Sequence, residues 1–136
     1  YHYFMNHPYS AGSTAFVIGE YSDVRQYAGN IQLHNYTYTD EVAATTASVE
    51  RLPDMVDYFS KTTGVSYPYE TYSQVFVLDV PWGMAATSMA IQTENMVDDF
   101  GTNADFLYLW DGVEGESLAQ KWYDNYVSCK DPDHIW

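Results

Sequence analysis

The chain has 136 residues and a mass of 15.6 kDa, which is enough for one modest domain or for part of a larger one. Lys and Arg total 5 and Asp and Glu total 19, so the net charge at pH 7 is −14. This balance argues against nucleic acid as a partner, because phosphate binding needs clustered cations. No segment approaches the roughly 20 consecutive apolar residues that a membrane-spanning helix requires.

Tyrosine is unusually frequent, with 14 residues against 6 Phe. Its ring supplies apolar area with a polar tip, which suits half-exposed strand faces and interfaces with other proteins. The single cysteine, Cys129, excludes an internal disulfide framework and any zinc site built from several cysteines. The cellular compartment stays open on this evidence.

The amino-terminal part of the chain predicts strands followed by a helical region. The β-prone run over residues 15–18 predicts one strand, and alternating polarity over residues 31–38 predicts a second, half-buried one. Over residues 40–63 apolar side chains recur at helical spacing. Pro53 lies inside this helical pattern, so we expect a kink there or two helices that meet.

The second half of the chain predicts further strands and a last helix. Residues 72–80 form the strongest strand candidate and are apolar enough to be central in a sheet. Residues 87–93 alternate and predict another strand. Residues 106–110 form a third apolar run, ended by a predicted turn at residues 111–112. The last helix is predicted over residues 114–127, with Leu118 and Trp122 in its apolar stripe.

Three segments carry a family resemblance through their order and spacing. They are GVSYPYETYSQV at residues 64–75, VPWGMA at residues 80–85, and LAQKWYDN from residue 118, followed by a closing IW. They resemble, in turn, the phrase FGxPYPYxKxDQV, the peptide-binding GAMEN strand, and HELAHQWFGNxVxxKxxxxIW of the M1 family of zinc aminopeptidases. Residues 13–20 also resemble the closing strand of that family's amino-terminal β-domain.

The resemblance implies a fold and a division of the chain. It implies an α/β (α+β) fold with a thermolysin-like mixed sheet and helices, preceded by the end of an amino-terminal β-domain. Residues 1–37 would form the end of that β-domain. Residues 38–136 would form the amino-terminal part of the catalytic domain.

The zinc-binding motif of the family is replaced in this chain. ESLAQ stands where the family has HExxH, which puts Glu116 and Gln120 at the two ligand positions and Ser117 at the general-base position. Moving the alignment by one residue leaves Gly115 and Ala119 as the ligands instead. Neither alignment offers an imidazole for zinc, and Ser117 provides no carboxylate to take a proton from a metal-bound water.

The substrate-binding phrase is altered as well. Gly83, Met84 and Ala85 occupy the GAMEN position, and Ala86 follows without the acidic residue that holds a substrate's amino group in the family. Metal ligands, base and amine anchor are thus all replaced. The sequence therefore predicts a non-catalytic structural or protein-binding subunit that needs no cofactor and whose partners are other protein subunits.

Two other functions remain open at this point. One is a zinc-dependent aminopeptidase that removes amino-terminal residues from peptides and uses atypical ligands. The other is an M1-like cleft that binds a peptide without cutting it. Metal content separates the enzyme from both non-catalytic functions, and peptide titration separates peptide binding from a purely structural role.

Other chemistry-bearing patterns are better explained as ordinary surface or structural residues. None has a nucleophile elbow such as GxSxG, a DxDxDG calcium loop or the ligand spacing of a metal site. The Asn35-Tyr36-Thr37 sequon is a match that is common by chance. The patterns are His2 with His7, Ser117 with Glu116 and His134, Cys129 with Asp131 and His134, and the acidic set Glu94, Asp98, Asp99 and Asp105.

Overall fold

The computed structural model of the chain describes residues 4–9, 11–81, 83–98, 107–127 and 130. Within them, five strands form one sheet. These strands are β1 (Ser22–Ala28), β2 (Ile31–Thr37), β3 (Thr71–Val77), β4 (Met84–Ala85) and β5 (Met89–Thr93). The α-helices are α1 (Val42–Ser48), α2 (Leu52–Thr63), α3 (Asn95–Asp98) and α4 (Leu107–Gln120). A π-helix over Lys121–Tyr126 continues α4, and short 3₁₀ turns lie at Ala11–Ser13 and Thr39–Glu41.

The sheet is mixed and its strands lie in the order β1-β2-β3-β5-β4. Strands β2, β3 and β5 are parallel, whereas β1 and β4 pair antiparallel at the two edges. The mixed α/β class predicted from the sequence is therefore confirmed. So is the central strand, because β3 has a neighbour on each side and a strand buried in this way requires a nearly continuous apolar run.

The predicted helical region over residues 40–63 is two helices that meet. Helix α1 ends at Ser48 and α2 begins at Leu52, with Pro53 in its first turn. Proline is tolerated there because the first amides of a helix have no partner within the helix. Gly64 ends α2 at φ 70°, a left-handed conformation that glycine adopts without strain.

The predicted turn at residues 111–112 and the predicted helix start at residue 114 are wrong, because α4 is already helical from Leu107. Glycine costs about 1 kcal/mol in a helix interior, and the buried side of this helix outweighs that cost. Glu114, Leu118 and Lys121 recur at helical spacing and are almost fully buried. Two of these three are charged, so a search for apolar periodicity does not find this part of the helix.

The predicted strand over residues 15–18 is also wrong, because the first strand of the sheet is β1. Strand β1 is mostly polar and half-exposed, which hides its alternation in the sequence. Gly29, at φ 59°, and Asn30 form the tight turn between β1 and β2. A Gly-Asn pair of this kind is a hairpin signal. The mixed sheet therefore already includes Ser22–Thr37.

The helices pack against one face of the sheet. The Thr45 hydroxyl of α1 donates to the Thr37 hydroxyl at 2.8 Å, and Glu114 of α4 accepts a hydrogen bond from Gln74 of β3. The predicted apolar stripe of the last helix is confirmed at Leu118 and Trp122, which are buried. The apolar core comprises Leu33, Val49, Leu52, Val56, Tyr67, Tyr69, Tyr72, Phe76, Ala90, Met96, Val97, Leu118 and Trp122, with Ala28 at its edge.

A membrane-spanning helix was not expected from the sequence. Among the residues that the structure describes, no helix is long and apolar enough to cross a membrane.

Candidate functional site

A cleft of about 250 Å³ lies between the edge strand β4 and helix α4. Backbone and small side chains form its strand side, and α4 forms its other side with residues three or four positions apart, which share one helix face. The lining residues are Gly83, Ala85, Val113, Glu116, Ser117 and Gln120. Five of these six, all except Val113, stand at the positions where the resemblance to M1 aminopeptidases would place zinc-binding, base or substrate-binding residues.

Met84 is the one predicted site residue that does not line the cleft. It pairs with Ile91, whereas its neighbour Ala85 pairs with Ala90. Successive side chains of a strand point to opposite faces of the sheet. Met84 therefore lies on the sheet face away from α4, where it is 59% exposed.

Gly83 is the point where the strand side of the cleft comes closest to the helix. A Cβ at this position would overlap the Oε1 atom of Gln92 and would lie 3.1 Å from Val113 Cγ1 and 3.2 Å from Ser117 Oγ. Gln92 cannot simply move aside, because it is buried and its amide nitrogen donates to Gln74. The close approach of β4 to α4 therefore requires glycine.

Gly83→Ala is expected to lower the free energy of unfolding by about 1–3 kcal/mol, since the added methyl group overpacks the strand–helix contact. Gly115→Ala is the matched control, because a Cβ there meets no atom within 4 Å. That control should instead gain about 1 kcal/mol, since alanine is the better helix former. Urea denaturation of both variants measures the effect, and a gain in both would contradict the assignment.

Beneath the cleft, four amide side chains form a hydrogen-bonded row across the sheet. Asn35 Nδ2 donates to Gln26 Oε1 at 3.2 Å, and Gln74 Nε2 donates to Asn35 Oδ1 at 3.2 Å. Gln92 Nε2 donates to Gln74 Oε1 at 3.0 Å. Gln74 Nε2 also donates to Glu114 Oε1 at 2.5 Å, which joins α4 to the row. Buried polar groups of this kind fix one register between helix and sheet when they are paired.

Glu114 is a buried carboxyl group whose described hydrogen-bond donor is the side-chain amide of Gln74. Its pKa is raised from 4.5 to about 7, mainly by burial and to a smaller extent by the charge of Asp111, whereas the hydrogen bond from Gln74 acts in the opposite direction. Its charge also helps to raise the pKa of Tyr72 well above the ordinary value, although removal of that phenol from water is the larger cause. The row beneath the cleft thus contains a carboxyl group that titrates near neutral pH.

Lys121 is the buried cation of this region. Its ammonium donates to the carbonyl oxygens of Ala86 and of Met89, the latter at 3.0 Å. The same ammonium lies 5.8 Å from the centre of the Tyr72 ring. These contacts hold the turn between β4 and β5 against the end of α4, and so they position the strand side of the cleft.

Sequence reasoning did not find the residues beneath the cleft. A usable signal exists for Gln74 and Gln92, since each is a polar residue inside an otherwise apolar strand. A second signal is the spacing of seven between Glu114 and Lys121, which places both on one side of a helix. Both signals are weak without the sheet register, because an isolated Gln or Lys is more often exposed.

The residues that line the cleft do not fit zinc. Zinc in catalytic sites is held by imidazole, thiolate and carboxylate groups in a tetrahedral arrangement. This cleft offers one carboxylate at Glu116, a hydroxyl at Ser117 and an amide at Gln120. Over the described part of the chain, no group of three His, Cys, Asp or Glu residues is arranged to hold a metal ion.

The remaining candidate residues lie apart from the cleft or outside the described residues. His7 pairs with Glu70 at 3.5 Å and packs edge-on against Tyr69. Asn35 of the sequon is fully buried and hydrogen-bonded, so an oligosaccharide cannot be attached to it in this fold. Those outside the described residues are His2, Asp99, Asp105, Cys129, Asp131 and His134.

Comparison with known proteins gives no family assignment. No family model matches the chain, and no curated protein sequence matches it. The resemblance to M1 aminopeptidases therefore rests on the three sequence segments, and a functional proposal has to rest on the chemistry of the residues around the cleft.

Proposed function

We propose that the chain is a non-catalytic relative of the M1 aminopeptidases that serves as a structural or protein-binding subunit. In this proposal residues 1–37 are the end of an amino-terminal β-domain whose last two strands, β1 and β2, continue into the mixed sheet. Residues 38–136 begin a thermolysin-like domain. The observation that carries the proposal is the set of residues lining the cleft between β4 and α4, which contains one carboxylate at Glu116 and no imidazole.

The position of the cleft supports the relation to the family. The segments that resemble the GAMEN strand and the HExxH helix are far apart in the sequence, yet Gly83 and Ala85 lie across the cleft from Glu116, Ser117 and Gln120. The residues that are replaced in the sequence are thus neighbours in space. An alignment made by chance has no reason to bring them together.

The chemistry of these residues does not support hydrolysis. Cleavage by an activated water needs a Lewis acid and a base that takes the proton. A serine hydroxyl at the base position remains protonated at neutral pH, and Gln120 carries no charge. The packing residues Leu118 and Trp122 are nevertheless buried in the core. A fold that keeps its packing but lacks reactive groups is suited to assembly or binding.

Peptide binding without cleavage is a second candidate function. Strand β4 is at the edge of the described sheet and pairs with β5 on one side. An extended peptide can add to such an edge through backbone hydrogen bonds, with one side chain in the adjacent cleft. Titration of the chain with short peptides, followed by the amide exchange of Met84 and Ala85, separates this function from a purely structural one.

Zinc content is the direct test of the non-catalytic proposal. Protein prepared without chelators is expected to contain far less than one zinc per chain by elemental mass spectrometry, and to release no amino-terminal residue from aminoacyl substrates. A stoichiometric zinc that is lost in Glu116→Gln, but retained in the exposed control Glu50→Gln, would overturn the proposal. It would establish the alternative, a zinc-dependent aminopeptidase with atypical ligands.

A further inference from the structure

The cleft between β4 and α4 contains a small space where Gly83 has no side chain. The point that a Cβ would occupy there is bordered by Gln92 Oε1, by Val113 Cγ1 at 3.1 Å and by Ser117 Oγ at 3.2 Å. By continuation of the register between β4 and β5, Gly83 stands opposite Gln92. We call this space the Gly83 niche. Two of the three atoms that border it are oxygen atoms.

The Oε1 atom of Gln92 is a buried acceptor that has no donor. Gln92 is fully buried, and among the described residues no group donates a hydrogen bond to this atom. Its amide nitrogen donates to Gln74 Oε1 at 3.0 Å, which fixes the amide with Oε1 against the Gly83 niche. A buried acceptor without a donor is costly, so it calls for a partner. The niche is therefore suited to a hydrogen-bond donor.

The charge beside the niche favours a cationic donor. Glu116 lines the same cleft and precedes Ser117 in α4, and among the described residues that line the cleft none is basic. An ammonium group carries three donors and no acceptor, so it matches a carboxylate and two further oxygen atoms. Hydrogen bonds from a charged donor are also roughly twice as strong as those between neutral groups.

Reach distinguishes the two kinds of ammonium group that a protein carries. An extended strand added to β4, at the edge of the described sheet, lies about 4.8 Å from the β4 backbone. A lysine ammonium lies about 6 Å from its Cα, at the end of a four-carbon stem, and so reaches the Gly83 niche. A terminal amine lies about 1.5 Å from its Cα and cannot reach the niche from a paired strand.

We propose that the cleft binds a lysine side chain, which an extended strand of a partner protein inserts while it pairs with β4. The lysine ammonium occupies the Gly83 niche, where Gln92 Oε1 and Ser117 Oγ accept its hydrogen bonds. The Glu116 carboxylate compensates its charge. This inference rests on the proposed protein-binding function and names the side chain that such binding recognises.

The probe is the peptide TVTKTVT, acetylated at its amino end and amidated at its carboxyl end. Its affinity for the zinc-free chain is measured by titration calorimetry. We expect saturable binding, and about tenfold weaker binding when acetyl-lysine or norleucine replaces the lysine. Both replacements keep an apolar stem and remove the charged donor. A peptide TVTTTVT with a free amino end tests the terminal amine instead, and we expect it to bind no better than the norleucine peptide.

Glu116→Gln tests the charge of the cleft. It should weaken binding of the lysine peptide by about tenfold and leave the norleucine peptide unaffected, because only lysine brings a charge to the carboxylate. Glu50→Gln is the matched control, since Glu50 is also exposed and lies outside the cleft. Both variants change the net charge equally, so an effect of the net charge would appear in both.

Gly83→Ala tests the niche itself. The added methyl group fills the space, so the preference for lysine over norleucine should disappear. Gly115→Ala is the control and should keep that preference, since a Cβ there meets no atom within 4 Å. Circular dichroism first shows that both variants are folded under the conditions of the titration.

Four results would overturn the proposal. They are equal affinity for the lysine and norleucine peptides, equal weakening in Glu116→Gln and Glu50→Gln, a lysine preference that survives in Gly83→Ala, and tighter binding of the free-amine peptide than of the lysine peptide. The proposed function is tested separately by zinc content. A zinc-free chain that does not prefer lysine contradicts this inference alone, whereas a stoichiometric zinc bound through Glu116 contradicts the proposed function.

Discussion

Glu114→Gln is expected to raise the free energy of unfolding by about 3 kcal/mol at pH 8, because it removes a charge from the buried side of α4. The native pKa of this carboxyl group is about 7, against 4.5 when it is exposed to water. The glutamine amide oxygen can still accept the hydrogen bond that Gln74 donates to the carboxylate. The substitution therefore keeps the geometry of the row and changes its charge.

The sign of this stabilisation follows from the way the free energy of unfolding depends on pH. Below pH 4.5 the group is protonated in both the folded and the unfolded state, so its contribution to folding is complete. Between pH 4.5 and about 7 the unfolded chain loses the proton first, and the stability falls. Above pH 7 both states are ionised and the loss is complete. Glutamine does not titrate, so its variant should lack this fall.

Urea denaturation at pH 5 and pH 8 measures the effect. Glu116→Gln is the matched control, since it removes the same unit of charge from an exposed position of the same helix. The control accounts for the self-repulsion of a chain with a net charge of −14. If Glu114→Gln and Glu116→Gln change the pH dependence equally, the buried carboxyl group is not its source.

Lys121→Met is expected to destabilise the chain by about 2 kcal/mol, although methionine fills a similar volume. In the native structure the ammonium donates to the carbonyl oxygens of Ala86 and Met89. Met89 O also accepts from the Ala86 amide at 2.8 Å. The carbonyl of Ala86 is therefore the group that loses its described partner, and a buried carbonyl without a donor is costly.

Hydrogen exchange combined with denaturation tests the role of Lys121. The amides of the turn between β4 and β5 should exchange faster in Lys121→Met, because the turn is no longer held to the end of α4. Lys61→Met is the control, as Lys61 is exposed and lies 3.9 Å from Asp57 in a surface pair of little energetic weight. A loss of stability with no change in turn exchange would show that Lys121 acts through packing alone.

Local sequence patterns were sufficient to predict the elements whose buried side chains are apolar. Strands β2, β3 and β5 alternate or run apolar because each buries apolar residues, among them Leu33, Phe76 and Ala90. The division between α1 and α2 follows from Pro53, which has no amide hydrogen to contribute inside a helix. The residues of the cleft were found because two motifs were compared with a family, although their contact could not be deduced from spacing.

Patterns failed where the contacts that stabilise an element are distant in sequence. Helix α4 carries Gly112 and Gly115, and the buried side of α4 and its π-helical continuation carries Glu114 and Lys121. Local propensity and polarity therefore both point away from a buried helix. The run over residues 15–18 is the opposite case, because its local pattern favours a strand that these residues do not form. It is strongly β-prone, yet a strand needs a neighbouring backbone, and no such neighbour lies within the described residues.

The sequence was thus sufficient to predict a mixed α/β chain and its central strand. Those properties depend on residue identity and on short-range periodicity. The folded chain was needed to place Gly83 against α4, to join Gln74 and Gln92 to Glu114, and to set Lys121 beneath the turn of β4 and β5. Hydrogen bonds between residues far apart in the sequence depend on sheet register and helix packing, and neither leaves a local pattern.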